Sequence, residues 1–153
     1  MLRWKMIKEI ARNKKATFEY FILDKFEAGI MLEGCEVKSV RAGGISLAES
    51  YVRVINGELF LINAYIKPYE NTSAFIPDAR KNRKLLLKKQ EISQIINKFS
   101  EKGLTIVPLR VYLKGNLIKV EIGVGRGKKL YDKRASLKEK SAKLEIERAS
   151  KKF

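Results

Sequence analysis

Two stretches of β-forming residues, 51–55 and 58–62, are joined only by the dipeptide Asn56-Gly57. Asn-Gly suits the positive φ angles of a type I′ turn, which connects neighbouring antiparallel strands. A second pair of β-rich stretches, 104–113 and 117–124, flanks a Lys-Gly-Asn turn. Because strands that arrive as sequential hairpins pair with their neighbours, the sequence predicts an antiparallel sheet.

Two further stretches near the N-terminus have the character of strands. In residues 16–23, Phe18, Tyr20 and Ile22 fall on one side at a period of two, as in a half-buried strand. Residues 28–32 also lean towards β structure. The sequence therefore predicts strands over both stretches.

Two segments have helical spacing instead. Val37 and Val40 precede Gly43, which predicts a helical turn within residues 36–41 that ends at glycine. Residues 88–102 predict a longer amphipathic helix, because a glycine follows where a left-handed residue is needed. Its apolar side chains are Ile92, Ile95, Ile96 and Phe99.

These segments predict one domain over residues 1–125, with five or six strands and flanking helices. Closure into a small antiparallel barrel would remove exposed strand edges. Pro108 has no N–H to donate, so it predicts an edge position or a β-bulge. Residues 69–82 mix Asn, Thr, Ser, Pro and Asp without periodicity, which indicates a long connection.

The composition changes after Gly125, where residues 126–153 contain eleven Lys or Arg against four Asp or Glu. Their few apolar residues cannot offset the conformational entropy of ordering the segment alone. We therefore predict a tail that is disordered in the free protein. The segment lacks proline, and Asp132 suits a helix N-terminus, so the tail is expected to become helical on a partner.

Charge limits the functions that this protein can have. The 153 residues carry a formal charge of +16 and include no histidine, which favours a polyanionic partner and removes imidazole catalysis and nearly all ordinary zinc sites. A single cysteine, Cys35, allows no internal disulfide, which favours a reducing cytoplasm. No apolar run approaches the roughly 20 residues of a membrane span. We expect no catalytic residue, cofactor or metal.

Several residues allow more than one interpretation. Tyr20, Phe21, Tyr65, Tyr69 and Tyr131 could stack on unpaired bases, although core packing is the commoner role of an aromatic on a strand. Carboxylates in basic surroundings are usually salt-bridged. The glycines of residues 123–127 resemble a phosphate loop only in composition. From the residues alone, the candidate classes are an RNA-binding module, a basic DNA-binding or ribosome-associated structural protein, and an enzyme, in falling order.

Read in order, a set of short motifs resembles the SmpB family of tmRNA-binding, or SsrA-binding, proteins. The resemblance covers about residues 10–152. The motifs are Asn13-Lys-Lys-Ala16, Phe26-Glu-Ala-Gly-Ile30, Glu36-Val-Lys-Ser-Val-Arg-Ala-Gly43, Asn56-Gly-Glu58, Pro68-Tyr69, Arg83-Lys-Leu-Leu-Leu87, Gly127-Lys-Lys129 and Asp132-Lys-Arg134.

The resemblance implies a barrel of the oligonucleotide-binding (OB) type with a C-terminal tail that is disordered when free. It implies that the protein, a non-enzymatic monomer, binds the tRNA-like domain of tmRNA. Together with elongation factor Tu and GTP, which act through tmRNA, it would deliver that RNA to stalled ribosomes for trans-translation. The tail would occupy the decoding region of the small subunit and the empty mRNA channel.

Site residues follow from the same resemblance, position by position. Glu27, Leu86 and Lys119 match the family's RNA-binding positions. Phe18 and Tyr131 stand where some members have histidine. Further motif matches that could extend the RNA surface are Asn13, Lys14, Tyr20 and Arg41. The tail positions that match the ribosome-contacting segment are Gly127, Lys128, Lys129, Tyr131, Asp132, Lys133 and Arg134.

Overall fold

The structure is a computed structural model, and it describes residues 7–68, 77–100 and 103–128. Nine strands and three helices form in this part of the chain. In chain order they are β1 (Ile7–Arg12), α1 (Lys14–Glu19), β2 (Tyr20–Ile30), α2 (Gly34–Arg41), β3 (Ile45–Ser46), β4 (Tyr51–Ile55), β5 (Glu58–Ile62), β6 (Tyr65–Ile66), β7 (Arg83–Leu86), α3 (Lys89–Phe99), β8 (Leu104–Lys114) and β9 (Leu117–Gly127).

The strands form one seven-stranded sheet in the order β1-β8-β9-β2-β7-β5-β4, and β3 pairs separately with β6. Every pairing is antiparallel, which confirms the predicted mainly β class with flanking helices. The predicted barrel closure is not found, because no ladder joins the edge strands β1 and β4 among the described residues. β3 contacts β1, and β4 approaches β8, so the sheet curls around its core without closing.

Turn residues explain why the hairpins form where the sequence predicts them. Asn56 and Gly57 have φ angles of 52° and 75°, as a type I′ turn requires, and they join β4 to β5. Gly115, with φ of 63°, lies in the turn between β8 and β9. Helices α2 and α3 are also confirmed, and Gly43 and Gly103 follow them with positive φ.

The predicted strand over residues 16–23 is wrong in its first half, because α1 takes residues up to Glu19 and the strand begins at Tyr20. Ala16 is buried against Val107 and Leu109, and Asn13 Nδ2 donates a 2.9 Å hydrogen bond to the Pro108 carbonyl. Contacts with β8, about 95 positions away, therefore select the helix.

The two faces of the sheet are buried in different ways. On the core face, side chains from β9, β8 and β7 pack with α3, whose Ile95 has no exposed surface. On the opposite face, called here the outer face, α1 covers part of the sheet, over a small cluster that contains Ala16 and Leu109. Among the described residues, the other two helices, α2 and α3, contribute their buried side chains to the main core instead.

Strand β9 shows which residues belong to the outer face. Val120, Ile122 and Val124 are fully buried in the main core, so the alternate residues point the other way. A Cβ on Gly123 would lie 3.0 Å from side-chain atoms of Ile22 and Leu109. Gly123 therefore makes room for the α1 cluster, and the glycines of residues 123–127 lie in strand β9 and not in a loop.

Pro108 lies at a bulge, because the β8–β9 register shifts between Pro108 and Arg110. This confirms the bulge alternative, although β8 is an interior strand. The pairing of β1 with β8 ends at Arg110, so no β1 ladder bond needs the N–H that proline lacks.

Arg83 belongs to a basic stretch, residues 80–84, but its side chain lies inside the fold and does not face solvent. Arg83 is 1% exposed and Glu36 3% exposed, and the Arg83 Nε donates a 2.8 Å hydrogen bond to Glu36 Oε2. The remaining guanidinium N–H groups donate to main-chain carbonyls, including that of Ala64 at 2.9 Å. A buried charge needs such partners, so Arg83 connects α2, β7 and the segment before β7.

The sequence-based boundary after residue 125 falls inside β9, which continues to Gly127. Tyr20 pairs with Gly127, and the Lys128 N–H donates a 2.8 Å hydrogen bond to the Glu19 carbonyl. The first residues assigned to the tail are therefore attached to the sheet. The predicted disorder and helix of residues 129–153 lie outside the described residues, as does most of the predicted loop 69–82. In the described part, no helix has the length and apolar character needed to cross a membrane.

Candidate functional site

Three strands bring the three principal predicted site residues together on the outer face. Gly29 of β2 is paired with Leu86 of β7 on one side and with Lys119 of β9 on the other. Glu27 lies two residues before Gly29, so it points to the same face. The sequence positions are far apart, and only the strand order β9-β2-β7 places them side by side.

Gly29 has a particular role in this row. A Cβ at Gly29 would lie 3.3 Å from the Leu86 Cβ, so a larger residue would push against Leu86. Leu86 is 47% exposed, which is a large exposed fraction for a leucine. The preceding residue, Leu85, has no exposed surface. The row therefore presents an apolar side chain beside a cation and a carboxylate.

Glu27 is held by two donors from β8. The Tyr112 hydroxyl donates a hydrogen bond to Glu27 Oε2, and Lys114 Nζ donates one to Oε1 at 3.3 Å. The hydrogen bond from Tyr112 is the largest cause that lowers the pKa of Glu27, followed among the favourable causes by Lys114 and the charge of Lys119. Glu27 is therefore an anion at neutral pH, with its side chain 36% exposed.

Tyr112 is almost completely buried, with 2% of its surface exposed. Desolvation and the neighbouring Glu27 carboxylate raise its pKa far above the ordinary tyrosine value, so the hydroxyl is a proton donor at any physiological pH. The Arg110 guanidinium carbon lies 4.6 Å from the centre of the Tyr112 ring. Arg110 in turn contacts Glu121 at 3.4 Å and Glu9 at 3.8 Å.

We call Glu27, Leu86, Tyr112, Lys114 and Lys119 the outer-face cluster. It combines an anionic acceptor, two cations and an exposed apolar side chain within neighbouring strands. Lysines can contact phosphate, a carboxylate accepts hydrogen bonds from base or ribose donors, and an aliphatic group can pack on a base or sugar. Such a set can recognise a particular part of a nucleic acid, whereas cations alone would bind any phosphate backbone.

The other predicted body residues lie in two places. Asn13, Lys14 and Tyr20 belong to α1 or its flanks, at the far end of the same outer face. Asn13 uses its amide to hold the Pro108 carbonyl, and Tyr20 packs in the α1 cluster, so both have structural roles. Lys14 is exposed. Arg41 ends α2, which packs against β6, away from the outer-face cluster.

Two of the predicted tail residues are described. Gly127 ends β9, and Lys128 Nζ lies 4.8 Å from the centre of the Phe21 ring and 3.4 Å from the Thr17 carbonyl. The remaining predicted residues lie outside the described part of the chain: Lys129, Tyr131, Asp132, Lys133 and Arg134. Phe18 lies on α1 and is 38% exposed.

Sequence reasoning missed Tyr112, Lys114 and Arg110 as members of the site. Tyr112 alternates with Arg110 and Lys114 along β8, a polar or amphipathic set on one face of a strand, and this pattern was the available signal. It gave no indication that the tyrosine would reach Glu27, 85 positions away. In the described part of the chain, no group of three Cys, Asp or Glu side chains could hold a metal ion.

A strongly basic chain whose antiparallel sheet exposes cations and an ordered acceptor on one face has the features of a nucleic-acid-binding protein. Comparison with known proteins makes the class definite. The family model described as "SmpB protein" matches residues 10–152, and the chain belongs to this family.

Relatives and a solved structure agree with that assignment. The SsrA-binding protein of Carboxydothermus hydrogenoformans is 50% identical over 144 residues, which cover 94% of this chain and 97% of that protein. The SsrA-binding protein of Microcystis aeruginosa is 51% identical over 146 residues, 95% of each chain. A solved structure described as "tmRNA-SmpB: a journey to the center of the bacterial ribosome" matches with a TM-score of 0.64 and 47% identity, covering 78% of this chain and 84% of that one.

Proposed function

We propose that this protein binds the tRNA-like domain of tmRNA and delivers it to stalled ribosomes for trans-translation. The observation that carries the proposal is the convergence of Glu27, Leu86 and Lys119 around Gly29 on the outer face. Membership of the SmpB family supports the identity of the RNA. The resemblance to the SmpB family matches the same three residues to RNA-binding positions.

Each side chain has a separate task in this proposal. Lys119 pairs with a phosphate and releases counterions. Glu27 repels phosphate, so it accepts hydrogen bonds from base or ribose groups and fixes which part of the RNA lies here. Leu86 packs against a base or sugar. Lys14 and Arg41 add positive charge elsewhere on the surface, while Asn13 and Tyr20 keep α1 in place.

The tail completes the function on the ribosome. We infer that the residues after Lys128 enter the small-subunit decoding region and the empty mRNA channel. Lys128, Lys129, Lys133 and Arg134 would contact ribosomal RNA, and Tyr131 would stack on a base. Elongation factor Tu with GTP would act through tmRNA. The protein would work as a monomer in the cytoplasm, as a binding protein with no catalytic step.

The first experiment measures binding of the full chain to the tRNA-like domain, with duplex DNA of similar size as the competitor. We expect the RNA to bind more tightly at every salt concentration, and the Leu86→Ala variant to bind it more weakly. The matched control is Leu23→Ala, because Leu23 is 59% exposed and lies at the α1 end of β2. Equal affinity for RNA and DNA, or equal losses in both variants, would contradict the proposal.

The second experiment separates the two regions by truncation after Lys128. This site leaves β9 and its hydrogen bond to Glu19 intact, whereas removal of residues 125–127 would disrupt pairing with Tyr20–Ile22. The truncated protein should bind the tRNA-like domain nearly as tightly as the whole chain. It should fail to support peptide tagging on stalled ribosomes. Tagging at the normal level would contradict the role given to the tail.

A further inference from the structure

Tyr112 connects two strands that do not pair with each other. It lies on β8, and its hydroxyl donates to Glu27 on β2, although β9 lies between the two strands. The register explains the reach, because Tyr112 pairs with Lys119 and Lys119 pairs with Gly29, two residues from Glu27. The tyrosine side chain therefore extends across β9 along the outer face.

The burial of Tyr112 is unexpected on this face. The neighbouring residues in its row are partly exposed, whereas Tyr112 is 2% exposed. A buried hydroxyl without an acceptor is costly, and here the acceptor is Glu27. The ring is held from its other side by Arg110 at 4.6 Å, and Arg110 is held by Glu121 and Glu9.

Glu27, in contrast to the buried Tyr112, is partly exposed, and yet two donors hold its carboxylate in place. A carboxylate that rotates freely in the unbound protein must be ordered when it accepts hydrogen bonds from an RNA, and this entropic cost lowers the affinity. The Tyr112 and Lys114 donors use one position on each carboxylate oxygen. An ionised carboxylate has about four lone-pair sites, so acceptor capacity remains on the exposed part of the group.

We propose that Tyr112 is a positioning residue for RNA recognition, which fixes the Glu27 carboxylate in the orientation that accepts hydrogen bonds from the RNA. Tyr112 itself is buried and does not touch the RNA. This inference rests on the proposed role of Glu27. It adds a residue that no motif match supplied, and it gives a reason for burying a tyrosine on the open face of the sheet.

The test is Tyr112→Phe, which removes only the hydroxyl and keeps the ring against Arg110. We expect the affinity for the tRNA-like domain to fall about threefold to tenfold, because the Glu27 side chain must then be ordered when the RNA binds. The control is Tyr65→Phe, because Tyr65 lies on β6 with its ring beside Arg80, outside the outer face. This control should bind as the unmodified protein does.

A double variant distinguishes positioning from general destabilisation. If Tyr112 acts through Glu27, the variant Glu27→Gln/Tyr112→Phe should bind only slightly more weakly than Glu27→Gln alone. A loss equal to the product of the two separate losses would overturn the proposal. Tyr112→Phe binding as tightly as the unmodified protein, while Glu27→Gln binds weakly, would overturn it as well.

A measurement without RNA keeps this inference separate from the proposed function. Carboxyl-carbon NMR titration should show the pKa of Glu27 higher in Tyr112→Phe than in the unmodified protein, because the hydrogen bond that most lowers it is gone. An unchanged pKa would overturn the positioning role even if the protein binds tmRNA. Conversely, a normal affinity of Glu27→Gln would remove Glu27 from the binding site and contradict the proposed function at this residue.

Discussion

Glu36 and Glu27 are both carboxylates paired with cations in a strongly basic protein, but their surroundings differ. Glu36 is 3% exposed and meets Arg83, whose other N–H groups donate to main-chain carbonyls. Glu27 is 36% exposed and meets a tyrosine and a lysine at the edge of an open face. The first pair lies inside the fold, and the second lies on its surface.

The difference indicates which carboxylate can take part in binding. At Glu36, the guanidinium and the capping bond from Glu33 N–H to Oε1 at 2.9 Å leave the group enclosed by its own fold. At Glu27 the donors fix the group and leave it accessible. A charged residue in a basic motif can therefore be a structural component or a ligand-binding group, and burial decides between them.

The largest effect should come from Arg83→Met. Without Arg83 the buried Glu36 carboxylate loses its buried partner and keeps the partly exposed Lys81, 3.5 Å away, so the cost should lie at the lower end of that for breaking a buried ion pair, about 3 kcal/mol in the free energy of unfolding. Urea denaturation measures this directly. Arg53→Met is the control, because Arg53 is exposed on β4 and should change the stability by less than about 1 kcal/mol. Similar losses in both variants would show that burial does not separate them.

In contrast to Arg83→Met, Glu27→Gln should weaken RNA binding and leave the stability of the protein nearly unchanged. RNA affinity should fall by roughly 1–3 kcal/mol, because a charged acceptor in the interface becomes a neutral amide, while the urea midpoint stays close to that of the unmodified protein. The slope of log affinity against log salt should hardly change, since no phosphate contact is lost. Glu58→Gln, on β5, is the matched control. A loss of stability without a loss of affinity would give Glu27 the same role as Glu36.

Lys119→Ala tests the cation of the outer-face cluster. If Lys119 contacts one phosphate, binding should weaken and the log–log salt slope should fall by about one unit. Titrations at several salt concentrations give the slope. Lys89→Ala, on the exposed side of α3, lowers the net charge equally and should leave the slope nearly unchanged. Equal slopes in the two variants would indicate that only net charge matters.

The smallest effect should come from the pair of Asp24 and Lys98, which joins β2 to α3. Its hydrogen bond lowers the pKa of Asp24, so the stabilisation is present above the ordinary aspartate pKa and is lost as the pH falls through the lowered value. Both side chains are about 40% exposed, so Lys98→Met should cost only about 0.2–1 kcal/mol at neutral pH.

The pH dependence checks this last prediction. The difference in unfolding free energy between the unmodified protein and Lys98→Met should shrink as the pH falls below the ordinary aspartate pKa and through the lowered pKa of Asp24, where this carboxyl becomes protonated. A difference that persists unchanged at pH 2 would show that packing of the Lys98 chain on Phe26, 5.9 Å from the Nζ atom to the ring centre, is the main contribution instead.

Local signals allowed the regular elements to be predicted well where one turn or one helix face carried the information. The Asn56-Gly57 turn, the glycine after α2 and the apolar stripe of α3 each lie within a few residues of the element that they define. Short strands such as β3 and β6 were missed, because two residues give no periodicity to recognise.

The candidate site was only partly predictable. Motif resemblance indicated Glu27, Leu86 and Lys119, and the strand order places them in one row. It did not indicate Tyr112, because a tyrosine between apolar residues is as consistent with a core as with a site. Nor did the basic stretch 80–84 indicate that Arg83 is buried, since a basic run does not show which of its members are buried.

By itself, the sequence determined the antiparallel β class, the main hairpins, the helices α2 and α3, and a charge that requires an anionic partner. These depend on local turn chemistry, spacing and composition, which every chain of this sequence carries before it folds. The tertiary structure alone decided that residues 14–19 form a helix, that β1 and β4 are the unjoined edges of the described sheet, that Arg83 is buried and that Tyr112 meets Glu27. Each of these depends on groups that are distant in the sequence. Such groups come into contact and lose their exposure to solvent only when the strands pack together.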